Sequence, residues 1–256
     1  MGSVEQVPTR SAPLDRLSHR DAAVDVWLVD LDSPDWRDPR RPAGLSDDEK
    51  RRAEAFRFEQ DRRRFIACRS AVRMILGCYL ESRPSDVRFR YGSYGKPRVD
   101  LNGPGAPLYF NVSHSEHLAL VAVSRESEVG VDIEHVRARP GIPDIIERVF
   151  APAERRALLC APEAEHLLRF YRYWTLKEAH LKAAGLGMNH ALATIDVSGP
   201  TDPIELPEAG AIGTRSWTGN ILFEGSDHVA ALVVEAGVHP AVATILATLP
   251  MGVNHG

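Results

Sequence analysis

The chain has 256 residues, 44% of them hydrophobic and 26% charged, with a formal net charge of −4; this is the profile of a water-soluble globular protein with room for one large domain or two lobes. The slight acidic excess excludes a general polyanion binder, which carries a marked basic surplus, so no nucleic-acid partner is expected. Cys68, Cys78 and Cys160 are odd in number and lack C-x-x-C spacing, which excludes a disulfide framework and a structural zinc site and fits a reducing cytoplasm.

Residues 1–22 read as a loose tail with Pro8 and Pro13 and no apolar signal core. No window approaches the roughly 20 apolar residues of a membrane span, so no membrane partner is expected. "VDVWLVDLD" from Val24 has the β-branched character of a strand. Ser46 is a candidate N-cap with Glu49 as its capping-box partner, and the pattern continues as helix to about residue 80. "VRFRYGSYGKPRV" breaks at its glycines into strand, turn and strand, and "LYFNVSHSEHLALVAVS" supplies two more strands. "EVGVDIEHV" is again a strand, helical material runs on through "LLRFYRYWTLKEAHLKAAG", and "ATIDVSG", "GNILFEGSD" and "HVAALVVEA" close the series as strands.

The second half echoes the first. "SEHLALVAVS" from Ser115 and "SDHVAALVVE" from Ser226 share Ser, acid, His and an apolar run. The strands at Val24 and Val129, and the helices containing "RFIACRSAVR" and "YWTLKEAHLK", keep nearly the same spacing. Segments in one order at nearly the same offset predict a duplicated α/β unit. The expected layout is a first lobe over 23–125, a second over 126–238 and a tail over 239–256, with a cleft between the lobes.

Chemistry concentrates at that boundary. Asp132 and Glu134 lie two apart in "VGVDIEHV" and therefore share a strand face, where two carboxylates repel unless a cation lies between them. For D-x-E alone the competing reading is a strand-end salt bridge. In "YWTLKEAHLKAAG" Glu178 and Lys182 are one helical turn apart beside Lys177, and here the competing reading is a solvated helical ion pair. Taken together, Asp132, Glu134 and Glu178 make a three-carboxylate set that favours Mg²⁺ over zinc and implies a phosphorylated substrate. Lys96, held between Gly95 and Pro97, is either hairpin punctuation or a phosphate contact. On a regular strand Asn111, Ser113 and Ser115 share one face with His114 opposite. Residues 50–73 hold nine basic and three acidic groups, and arginines among them can grip a phosphate bidentately.

Four blocks, "YGKP", "FNVSHS", "VGVDIE" and "FYRYWTLKEAHLKAAGLGM", resemble in order and spacing the signatures of the Sfp-type 4′-phosphopantetheinyl transferases. The resemblance implies a pseudo-dimer of two α/β lobes with the active site at their interface. It also implies transfer of phosphopantetheine from coenzyme A to a serine of an apo acyl or peptidyl carrier protein, as in fatty acid, polyketide or nonribosomal peptide synthesis, with Mg²⁺ and release of 3′,5′-ADP. Asp132, Glu134 and Glu178 match the family's metal acids, Glu178 also its general base, and Lys182 its pyrophosphate lysine, with Lys177 adjacent. Ser113, His114, Lys96, Arg52, Arg62 and Arg69 fall where the family holds the coenzyme. "GLGM" departs by ending in Met188 where leucine is usual. With both lobes in one chain, a monomer is expected. The alternatives are a Mg²⁺-dependent coenzyme A or nucleotide diphosphohydrolase, and a non-catalytic coenzyme-A-binding or carrier-docking module.

Overall fold

A strand covered on both faces must alternate between two cores, and β1 (Val24–Asp30) does so. Trp27 and Val29 enter one apolar cluster while Val24 and Val26 enter another. In the computed structural model the described residues are 24–37, 44–92, 94–100, 106–186, 192–199, 204–206, 216–237 and 242–245. The tail 1–22, Met188 and most of 239–256 lie outside them.

Around β1 is a four-stranded sheet. β5 (Leu118–Ser124) pairs antiparallel with β1 on one side and with β4 (Tyr109–Ser115) on the other. β10 (Val242–Ile245), from the stretch expected as a tail, pairs parallel with the other edge of β1. The second sheet runs β6 (Val129–His135), β9 (His228–Glu235), β8 (Trp217–Glu224), β7 (Ile204–Leu206), all antiparallel. The order β1-β5-β4 is repeated as β6-β9-β8, the topological counterpart of the sequence echo. β2 (Phe89–Tyr91) and β3 (Pro97–Val99) form a separate hairpin.

Three cores follow from the alternation. Helix α2 (Glu59–Tyr79) places Ala67, Ala71, Val72, Ile75 and Leu76 against Trp27, Val121 and Val123. After the short helices α3 (Ile142–Val149) and α4 (Pro152–Leu159), the second long helix, α5 (Glu163–Ala184), places Phe170, Tyr173, Leu176 and Ala179 against Val229, Ala231 and Val233. The remaining faces meet each other, with Val24, Val26, Leu120 and Ala122 packed on Val129, Val131, Ile133, Ala230 and Leu232. The layers are therefore helix, sheet, sheet, helix. No described helix is long and apolar enough to cross a membrane.

Besides β10, two elements differ from the sequence expectation. The helix foreseen from Ser46 to about residue 80 is broken into α1 (Asp47–Glu54) and α2. Glu49 keeps the capping arm, accepting from the Ser46 N–H at 2.9 Å, but its carboxylate also takes Arg73 Nε at 2.7 Å and Arg69 Nε at 2.5 Å. An unbroken helix would put those arginines roughly 30 Å away, so the chain turns back at 55–58 to close a buried ion triad. "ATIDVSG", expected as a strand, instead begins with a short 3₁₀ turn, Leu192–Thr194. Its carbonyls are held by a buried lysine described below.

The sheets are also fastened edge to edge. Asn111 Oδ1 accepts the Val131 N–H at 2.9 Å, Ser113 Oγ the Ile133 N–H at 3.4 Å, and Ser115 Oγ the His135 N–H at 2.9 Å. Alternate side chains of β4 thus satisfy alternate amides of β6, which completes the β6 edge without a backbone ladder. Asn111, Ser113 and Ser115 share a face as their spacing predicts, and His114 on the other face is exposed.

Candidate active site

The same period-2 rule decides where the β6 acids point. Val129, Val131 and Ile133 fill the core between the sheets; Gly130, Asp132 and Glu134 therefore face α5. A Cβ on Gly130 would lie 2.0 Å from the Ala179 carbonyl oxygen and 2.4 Å from the Ala183 nitrogen. Strand and helix thus touch backbone to backbone there, an approach only glycine permits. Gly130→Ala is expected to cost about 1–3 kcal/mol or more by forcing the two apart. Urea unfolding measures this, and a loss below about 0.5 kcal/mol would contradict the packing argument.

On the facing helix Trp174, Glu178 and Lys182 are spaced i, i+4, i+8 and line one stripe. Lys182 Nζ lies 2.6 Å from Asp132 Oδ1 and 2.9 Å from Ser113 Oγ, and the Ser113 hydroxyl donates to the same Asp132 oxygen at 2.8 Å. The Trp174 indole N–H donates to Glu134 Oε1 at 3.0 Å. Asp132 Oδ2 and Glu178 Oε1 are buried and accept no hydrogen bond. Burial first, and then the Asp132 charge, raises the Glu134 carboxyl above the ordinary glutamate range. For Glu178 burial is again the main cause, with Asp132 and Glu134 adding to it against Lys182, and its carboxyl is pushed up to about 7. His114 keeps an edge open to solvent, yet the atoms packed around it desolvate the ring enough to hold the imidazole low, and the charges of Lys182 and Arg52 add to this with Asp132 opposing. Asp132, Glu134, Glu178, Lys182, Ser113, His114 and Arg52 therefore belong to one electrostatic neighbourhood.

Four residues expected at the coenzyme are engaged elsewhere. Lys177 is fully buried on another side of α5, with Nζ 2.7 Å from the Leu192 carbonyl, 2.5 Å from that of Ile195 and 3.0 Å from Glu154 Oε2. One residue is about 100° of helix, so adjacency to Glu178 in sequence is separation in space. Lys96 is nearly buried, giving its protons to Glu128 at 2.8 Å and to the carbonyls of Val129 at 3.1 Å and Ala183 at 3.2 Å. It ties the β2–β3 hairpin to the start of β6 and the end of α5. Arg69 is committed to Glu49 and stacks over Phe89. Arg62 pairs on the surface with Glu59 at 3.2 Å. The sequence places Trp174 at helical spacing with Glu178 and Lys182 but assigns it no role, and it does not single out Gly130 or the stitching roles of Asn111 and Ser115. Gly130 was signalled by G-x-D-x-E and Trp174 by the i, i+4, i+8 spacing.

Among the described residues no three His, Cys, Asp or Glu side chains already stand in metal-holding geometry. The nearest positive charge to Asp132 is that of Lys182 at 2.6 Å. Buried oxygens on Asp132 and Glu178 that accept no hydrogen bond nonetheless fit a cation, because a buried acceptor left without a partner is costly until one approaches. An all-oxygen donor set suits Mg²⁺.

Two family profiles match adjoining stretches of the chain. "4′-phosphopantetheinyl transferase, N-terminal" covers residues 41–126 and "4′-phosphopantetheinyl transferase superfamily" covers 128–233. The 4′-phosphopantetheinyl transferase HetI of Nostoc is 40% identical over 189 residues, 73% of this chain and 79% of its own. The 4′-phosphopantetheinyl transferase Sfp of Bacillus subtilis is 29% identical over 169 residues, 64% of this chain and 72% of its own. Among solved structures, the Thermotoga maritima holo-[acyl-carrier-protein] synthase overlaps 42% of this chain and 62% of its own at 24% identity, with a TM-score of 0.35. The acids of β6 and the stripe on α5 fall inside the superfamily match, and a relative at 40% identity spans most of both chains, so this chain belongs to the Sfp-type 4′-phosphopantetheinyl transferases.

Proposed function

We propose that the chain moves the 4′-phosphopantetheine arm of coenzyme A to a serine hydroxyl of an apo acyl or peptidyl carrier protein, with Asp132, Glu134, Glu178 and Lys182 as its working residues. The observation that carries this reading is the meeting of β6 and α5, where a lysine, an unpartnered carboxylate oxygen and a glutamate raised to about 7 converge.

Asp132, Glu134 and Glu178 would hold Mg²⁺, which when bound neutralises charge on the pyrophosphate. Glu178 accepts the proton of the carrier serine. The serine oxygen forms a bond to the phosphorus bearing pantetheine, and the phosphorus–oxygen bond to 3′,5′-ADP breaks. Lys182, whose side chain is 29% exposed, reaches the leaving phosphate and stabilises its developing charge. His114 and Arg52, which stand close enough to share a field, serve the nucleotide end. Ser113 supports this chemistry from behind by fixing Asp132 and Lys182. Both halves of the site lie in one chain, which supports a working monomer. Three free cysteines agree with a reducing compartment such as the cytoplasm.

The test is intact-mass measurement of a purified apo carrier protein after incubation with this chain, coenzyme A and Mg²⁺. The carrier should gain one phosphopantetheine, and coenzyme A should persist when the carrier is omitted. Consumption of coenzyme A without a carrier would favour the diphosphohydrolase, and no change in either arm the silent module.

A further inference from the structure

Each β6 acid meets a different partner on α5. Asp132 faces a cationic ammonium at 2.6 Å, whereas Glu134 faces a neutral indole N–H at 3.0 Å. The difference matters for a carboxylate meant to take up a cation. An ammonium competes with the ion for the same charge; an indole has one proton to donate and no charge, so it orients a single oxygen and leaves the second available.

The Trp174 ring is itself held. It lies nearly parallel to Phe170, with centroids 6.3 Å apart at 12°, and Phe170 is stacked in turn on Phe150. Phe150 and Phe170 are buried in the core of this half of the molecule. The donor is therefore mounted on a rigid aromatic floor rather than on a mobile surface side chain.

We propose that the Trp174 N–H is a positioning group that fixes the Glu134 carboxylate for uptake of the divalent cation. This rests on the three-acid reading given above. Outer hydrogen-bond partners of metal-binding groups typically change metal affinity by about 10–100-fold when removed. Trp174→Phe keeps an aromatic ring against Phe170 and removes the N–H together with the second ring of the indole, so the Glu134→Gln background is what separates the lost N–H from the lost volume.

Mn²⁺ binding to the protein without coenzyme A, followed by electron paramagnetic resonance, tests the proposal apart from turnover. Wild type should bind Mn²⁺; Asp132→Asn and Glu134→Gln should bind it more weakly; Trp174→Phe should bind it about 10–100-fold more weakly. In a Glu134→Gln background the Trp174→Phe loss should vanish, because the indole acts through that carboxylate. Trp174→Phe should also recover its transfer rate at saturating Mg²⁺, which a general packing defect would not do. Should the Phe variant melt below the assay temperature, Trp174→Met makes the same comparison. Unchanged Mn²⁺ affinity in Trp174→Phe overturns the positioning role alone, and so does an equal loss in the Glu134→Gln background. Failure of wild type to bind Mn²⁺, or normal binding by Asp132→Asn and Glu134→Gln, overturns the three-acid reading itself.

Discussion

Glu178→Gln is expected to lower phosphopantetheine transfer by about 10²–10⁴-fold while leaving the fold intact. The amide matches the carboxylate in shape but takes up no proton, so the serine loses its base. Wild-type Glu178 sits near neutrality because burial and the two β6 carboxylates disfavour its charge. Transfer within about threefold of wild type would remove Glu178 from the proton-accepting role. The substitution also has a signature independent of turnover. The folded value of about 7 stands above the ordinary 4.5, so the native state holds a proton that the unfolded chain releases earlier. The resulting stability is complete below pH 4.5 and is lost as pH rises toward 7. Metal-free wild type should therefore show a declining contribution to its unfolding free energy across that window, and Glu178→Gln should lack it. Identical pH profiles for the two proteins would contradict the buried placement.

Local patterns predicted side-chain direction well where it is set by backbone period. Asp132 and Glu134 had to share a face, and so did Asn111, Ser113 and Ser115; the structure finds the first pair toward α5 and the second set toward β6. The echo of "SEHLALVAVS" in "SDHVAALVVE" reappears as β5 and β9, each the central partner in its sheet's repeated order. What local pattern lacked was destination. Ser46 and Glu49 announced a helix start, but nothing nearby said that Glu49 would close on Arg69 and Arg73, which is why the break at 55–58 went unforeseen. Lys96 had the right neighbours for a phosphate contact, yet its three acceptors come from Glu128, Val129 and Ala183, all more than 30 residues on. Charged side chains carry no period of their own, so their partners are fixed only when distant segments pack.

Lys177 shows the consequence most sharply, and Lys177→Met is expected to destabilise the protein by about 3–5 kcal/mol, the range for breaking a buried pair from one side. Both partners are inaccessible to water. Burial lowers the lysine and raises the glutamate, but the hydrogen bonding around them fits the ionised pair. Three oxygens surround Nζ, from Leu192, Ile195 and Glu154. The Glu154 carboxylate accepts the N–H groups of Ala151 at 2.7 Å and Val197 at 2.8 Å besides the lysine. Methionine keeps the apolar stem and strands a carboxylate and two carbonyls. The double variant Lys177→Met, Glu154→Leu removes both charges but leaves backbone groups on both sides unpaired, at about 1–3 kcal/mol each, so it should not regain wild-type stability. Urea unfolding of the two variants measures these losses. Coenzyme A kinetics on the folded fraction separates the structural role from the expected coenzyme contact. If Lys177 only pins residues 192–197 against α4 (Pro152–Leu159) and α5, the KM for coenzyme A stays near wild type. A well-folded Lys177→Met with a KM raised tenfold or more would return this lysine to the phosphate.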